Sequence, residues 1–195
     1  MRKMISTIMA LAMIMAMATP IYASHYSDQK LMVVSEQVFD DPTDEGAKLI
    51  DQSIKNNGKQ TIITKTYQLP DGSILEDVFT FNNNKTKSSE GSDSASRTRT
   101  VGKLGSVTLN ASFKWYTQGL IAYVTCTSAS SSYTKTNSSI IVNTSVTKTD
   151  EYVGLGKAYA KVEYSFHNPL TGGIGYASGS FQITCTDTGS ITDNA

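Results

Sequence analysis

The sequence predicts a mainly β protein: an immunoglobulin-like antiparallel β-sandwich over residues 101–190, preceded by a small helix and a β-hairpin. Three observations carry this expectation. From Val101 onward, apolar and polar residues alternate with period two in one segment after another. Ser and Thr supply 24 residues each while charged residues are only 17% of the chain, a balance that suits pleated strands better than helices. Turn signals rich in Gly, Pro and Asn separate the alternating runs.

The elements follow in order. Residues 1–23 read as a secretory signal peptide. Arg2 and Lys3 make a basic start, residues 4–18 are apolar apart from Ser6 and Thr7, and Thr19-Pro20 breaks the run before a cleavage point between Ala23 and Ser24. The apolar run is shorter than the roughly 20 residues a spanning helix needs. No Cys near position 23 offers a lipid attachment point, and the C-terminal residues 191–195 form a polar tail. The expected product is therefore secreted and extracellular, with no stable membrane anchor. Leader removal leaves 15 basic against 17 acidic residues, because only Arg2 and Lys3 go with it. A near-neutral chain has no electrostatic case for nucleic acid.

Residues 24–81 form the expected N-terminal region. Asp41 as cap, Pro42 at the first helical position, and Asp44 and Glu45 at the positive end of the dipole predict a helix start. Ala47, Ile50 and Ile54 then recur at spacings of three and four, with Leu49 beside them, and Asn56-Asn57-Gly58 ends the run. The acidic cluster lacks the alternating ligand pattern of a calcium loop and reads as capping. Residues 61–68 and 74–81 alternate on either side of the turn signal Leu69-Pro70-Asp71-Gly72, which predicts a hairpin. Residues 82–100 read as a linker, since Ala95 is their only apolar residue. Its Arg97-Thr98-Arg99 is either a solvated stretch or a site for an extracellular trypsin-like protease.

In the predicted sandwich, inward faces are Val107, Leu109, Ala111, Phe113 and Trp115, then Leu120, Ala122, Val124 and Cys126. Ile140, Val142, Thr144 and Val146 follow a polar stretch, residues 128–139, read as a loop. Ala158, Ala160, Val162, Tyr164 and Phe166 come after a loop over residues 149–156, and Phe181, Ile183 and Cys185 close the set. The two cysteines both fall on the inward phase. In an exported chain this predicts a Cys126–Cys185 disulfide, worth on the order of 4 kcal/mol for a loop of that length. Two buried free thiols are the alternative. Trp115 precedes Cys126, whereas the core Trp of immunoglobulin domains follows the first Cys, so the likeness is one of architecture.

Chemistry-bearing motifs are sparse. His25 and His167 are the two histidines, and no Ser lies in a G-x-S-x-G elbow. No C-x-x-C or H-x-x-x-H spacing points to a metal. The expectation is a non-enzymatic protein with no catalytic residues, no metal site and no cofactor. Tyr116, Tyr123 and Tyr159 fall on the outward phase of three strands, where aromatic rings stack on sugars or anchor a protein partner. Alternatively, the helix–hairpin region lies over them and buries its own apolar stripe.

Three stretches carry a resemblance: Gly105-Ser106-Val107-Thr108-Leu109 running to Phe113-Lys114-Trp115-Tyr116; Glu151-Tyr152-Val153-Gly154-Leu155-Gly156-Lys157-Ala158; and residues 179–189 around Phe181 and Cys185. Together they resemble small secreted β-rich proteins of Gram-positive, clostridia-like bacteria that have no assigned function. The likeness covers residues 97–193 and implies location and fold, with no catalytic residue to transfer. The expected role is extracellular binding to a glycan, a protein or the cell envelope. The alternative is a toxin or bacteriocin-like effector whose residues 24–99 are a removable pro-region.

Overall fold

The computed structural model describes residues 37–39, 46–83, 89–118, 121–149, 152–153, 156–169 and 176–193. Among these the chain is mainly β, with strands β1 (Gln37–Phe39), β2 (Lys48–Asn56), β3 (Gln60–Gln68), β4 (Ile74–Asn82), β5 (Glu90–Val101), β6 (Gly105–Gln118), β7 (Ile121–Lys135), β8 (Ile141–Lys148), β9 (Tyr152–Val153), β10 (Lys157–His167), β11 (Tyr176–Thr186) and β12 (Ile191–Thr192). The predicted leader, with Ala23 and Ser24, lies outside the described residues, as does the capping segment 40–45.

Two sheets result. The larger runs β2-β3-β4-β5-β6-β7-β9 and is antiparallel throughout. The smaller runs β1-β11-β10-β8, with β12 also paired to β11. Its pairings are antiparallel except for the parallel β1–β11 contact. Strict alternation explains why the sheets meet. Leu75 and Phe79 of β4, Val107, Leu109, Ala111 and Phe113 of β6, and Val124 of β7 point one way. Ala158, Val162 and Phe166 of β10 and Phe181 and Ile183 of β11 supply the opposing apolar surface, all in one core cluster. Full burial of each large side chain contributes about 1.5–3 kcal/mol.

Trp115 is held in a slot. A methyl added at Gly91 would lie 2.4 Å from its ring, and one added at Gly189 would lie 2.5 Å from it. Gly189 also has a φ of +77°, in the tight turn between β11 and β12.

A buried ionic cluster ties the sheets together. Asp77 of β4 accepts from Arg97 Nε at 2.9 Å and Nη2 at 2.7 Å, and from Arg99 Nη2 at 2.9 Å. Both arginines then reach the smaller sheet: Arg97 Nη1 donates to the Gln182 carbonyl, and Arg99 Nη1 to that of Ser180. The Phe181 ring lies 5.5 Å from the Arg97 guanidinium carbon and 5.1 Å from that of Arg99. Arg97 also donates to the Asp193 carbonyl, while the Asp193 carboxylate takes Lys65 Nζ at 2.8 Å. The C-terminal strand is thus latched onto the larger sheet.

Several expectations are corrected. The predicted helix through Ala47, Ile50 and Ile54 is strand β2 from Lys48 onward. Ile50, the middle residue of the helical spacing, is the extra residue of a bulge, and the strand instead brings Leu49, Gln52 and Ile54 onto one face. The predicted linker is strand β5 over Glu90–Val101, paired to β4 and β6 along its length. The boundary expected between an N-terminal region and a separate β domain therefore falls inside one sheet. The polar stretch expected as a loop continues β7 as far as Lys135. Ile191 of the predicted tail pairs with Cys185. The order is also not that of an immunoglobulin domain, which distributes successive strands between its sheets. Here β2 to β7 are neighbours in sequence and in space.

Candidate functional site

The residues of the larger sheet that do not face the core make an unusual surface. On β5, β6 and β7 the outward positions are almost all hydroxyls and amides. Thr98 pairs with Thr108, which pairs with Ser132; Ser96 pairs with Asn110, which pairs with Ser130; and Ser112 pairs with Ser128. Hydroxyl contacts knit the rows together, with Thr98 Oγ1 2.9 Å from Thr108 Oγ1 and Ser106 Oγ 2.7 Å from Thr134 Oγ1.

The short side chains leave a depression of about 320 Å³ in this face. Its polar lining is Gln60, Thr80, Asn82, Ser94, Ser96, Asn110, Ser112, Ser128 and Ser130. At one side the amides are ordered by their own contacts: Gln60 Nε2 donates to Asn82 Oδ1 at 3.2 Å, and Asn82 Nδ2 donates to Asp93 Oδ1 at 2.6 Å. At another side a bulge interrupts the β6–β7 register between Ser112 and Phe113. Thr127 is the extra residue, and its hydroxyl donates to the Ser112 carbonyl at 3.1 Å. Bulges bend a strand and re-aim the side chains beyond them.

Beyond that bulge the same face carries an aromatic pair. Tyr116 and Tyr123 are direct register partners across β6 and β7. Their ring centroids are 5.4 Å apart with planes inclined by 40°. Tyr116 is four residues from Ser112, or about 13 Å along the strand. Lys114 and Glu90 sit nearby as an exposed pair at 3.7 Å. Tyr159, the third predicted tyrosine, is not part of this group. It lies on β10 in the other sheet, opposite Thr184, with 42% of its surface exposed. The hairpin expected to cover the tyrosines instead extends their sheet sideways as β3 and β4.

The cysteines are placed as alternation predicts, and in the structure they are two buried free thiols, the alternative to the expected disulfide. Both are fully buried in the shared core. Cys126 Sγ donates to the Ser128 carbonyl at 3.3 Å, and Cys185 Sγ to that of Thr186 at 3.4 Å. Burial pushes the Cys185 thiol up to about 12, with Asp93, Cys126 and Asp187 adding to the effect. Such thiols pack as small hydrophobes and are poor nucleophiles.

Sequence reasoning missed the Asp77, Arg97 and Arg99 cluster. Desolvation opposes the charge of the Asp77 carboxyl, yet hydrogen bonds and charge from Arg97 and Arg99 hold it below its usual range. Desolvation likewise opposes the charge of Arg99, and Asp77 and Tyr164 raise it again. The signal was present as phase. Arg97 and Arg99 alternate in step with Ala95 and Val101, and Asp77 sits between Leu75 and Phe79. His167 ends β10, exposed, with its ring 6.0 Å from that of Tyr176. Among the described residues no group of three or more His, Cys, Asp or Glu is placed to hold a metal ion. In comparisons with family models, curated proteins and solved structures, nothing matches this chain.

Proposed function

We propose that this chain is a secreted, non-enzymatic β-sandwich that binds an extracellular glycan through the outer face of its larger sheet. One observation carries the reading. A depression lined by hydroxyls and amides shares a face with the Tyr116–Tyr123 pair. Sugars present two kinds of surface: hydroxyls, which exchange hydrogen bonds with Ser, Thr, Asn and Gln, and C–H faces, which rest on aromatic rings. Both are met here within reach of a short oligosaccharide. The groove lining is uncharged, which favours a neutral ligand over an acidic one. Its openness to solvent suits binding rather than a reaction that must exclude water.

Glycan-array binding by the protein and its variants tests this. Replacing Tyr116 and Tyr123 together by Ala is expected to weaken binding about tenfold or more, as loss of an aromatic anchor does. Tyr159→Ala, on the other sheet, is expected to leave it unchanged. Binding that survives the double substitution contradicts the proposal.

The toxin-like alternative is disfavoured by the position of β5. Removing residues 24–99 would strip β2, β3 and β4 and nearly all of β5 from the larger sheet, taking Asp77, Arg97 and Arg99 with them.

A further inference from the structure

The geometry points to β2 as a self-association edge, at which two copies of this chain pair antiparallel about Ser53. β2 is nine residues long and ends the larger sheet; among the described residues its neighbour is β3 alone. A strand in that position offers a row of backbone donors and acceptors on its outer side. Natural edges are commonly blunted by shortness, proline, bulges or lysines. β2 is neither short nor interrupted by proline; it carries Lys48, Lys55 and the bulge at Ile50, and past that bulge its stretch from Asp51 to Asn56 stays regular. Leu49, Ile50 and Ile54 on it are 43%, 49% and 63% exposed.

Charge identifies the occupant as a second copy. In an antiparallel self-pair, each residue faces its mirror position across the twofold axis. With Ser53 opposite Ser53, Asp51 faces Lys55 and Lys55 faces Asp51, so two opposite-charge pairs form from one strand. Gln52 faces Ile54 in the same register. Asp51 to Asn56 is the stretch past the bulge at Ile50, where the strand is regular against β3. Cross-strand pairs of opposite charge stabilise a ladder, and like charges directly opposite destabilise it. The backbone ladder supplies the affinity, and the charges supply the register.

Sedimentation velocity of the purified protein and of three charge variants tests the inference. The unaltered protein is expected to dimerise as its concentration rises. Asp51→Lys and Lys55→Asp each place like charges opposite one another, and each is expected to weaken the dimer about tenfold or more. An equimolar mixture of the two single variants restores complementarity and is expected to recover the dimer as a heterodimer, as is the double variant alone. Both positions are exposed on the edge, so folding is expected to be preserved, and circular dichroism checks that it is. A protein that stays monomeric at every concentration overturns the inference and leaves the edge to a different partner. A dimer that both single variants retain also overturns it.

Discussion

At the scale of single residues, the most consequential are the charged groups in the core. Two guanidiniums share one carboxylate at Asp77, and each also donates to a carbonyl of the opposite sheet. Removing one member of such a cluster leaves buried charge uncompensated, a loss of about 3–5 kcal/mol. Because the Asp77 carboxyl is held below its usual value, its contribution is fully present above the unfolded value, near 3.9. It is lost as pH falls through the lower folded value. Urea unfolding measured against pH is therefore expected to show constant support from this group at neutral pH and a decline below about pH 4. Asp77→Asn is expected to lower stability at neutral pH and flatten the decline in acid. An unchanged acid slope in the variant contradicts this. The two cysteines show the same core from its apolar side: their inward phase was legible, while their bonding state was not, because alternation fixes direction and not the distance between sulfurs.

At the scale of elements, legibility depended on how apolar each strand is. β6, β10 and β11 carry unbroken inward rows such as Ala158, Ala160, Val162, Tyr164 and Phe166, and these are buried as their alternation predicts. β5 was hidden because its inward row is Ala95, Arg97, Arg99 and Val101. Two of those side chains are buried with the charge of Asp77, some twenty residues away, and carbonyls of the other sheet as partners. β2 is not legible as a strand because its inward row, Leu49, Gln52 and Ile54, is broken by a polar residue and shifted by the bulge at Ile50. The β7 extension was missed because its stretch from Ser128 pairs along a hydroxyl-rich face that offers no hydrophobic contrast. A direct consequence concerns proteolysis. Arg97 is 9% exposed and Arg99 fully buried, both in a strand paired on each side. Trypsin is expected to spare the bonds after them in the folded protein and to cut them once urea unfolds it. Mass spectrometry of the digest checks this, and rapid cleavage after Arg97 or Arg99 under native conditions contradicts it.

At the scale of the whole molecule, two faces of one sheet have different tasks. The inner face of the larger sheet packs on β10 and β11 through its apolar side chains and the arginine cluster. The outer face carries hydroxyl rows, the depression and the tyrosine pair. The Ser and Thr content that first indicated strands thereby acquires a location. Much of it lies on one surface, aligned by the register of β5, β6 and β7. The tyrosines were legible one strand at a time, yet sequence could not tell that two share a face and the third belongs to the other sheet. That required the strand order. The groove beside them was not legible at all, since it depends on five strands lying side by side. The central claim is that this outer face binds a glycan. The most direct measurement is an amide NMR titration of the protein with the strongest glycan from an array. The account predicts shift changes concentrated at Ser96, Asn110, Ser112, Tyr116, Tyr123 and Ser130, with β10 and β11 silent. Changes centred on β10 and β11, or a titration that moves no resonance of the outer face, would contradict it.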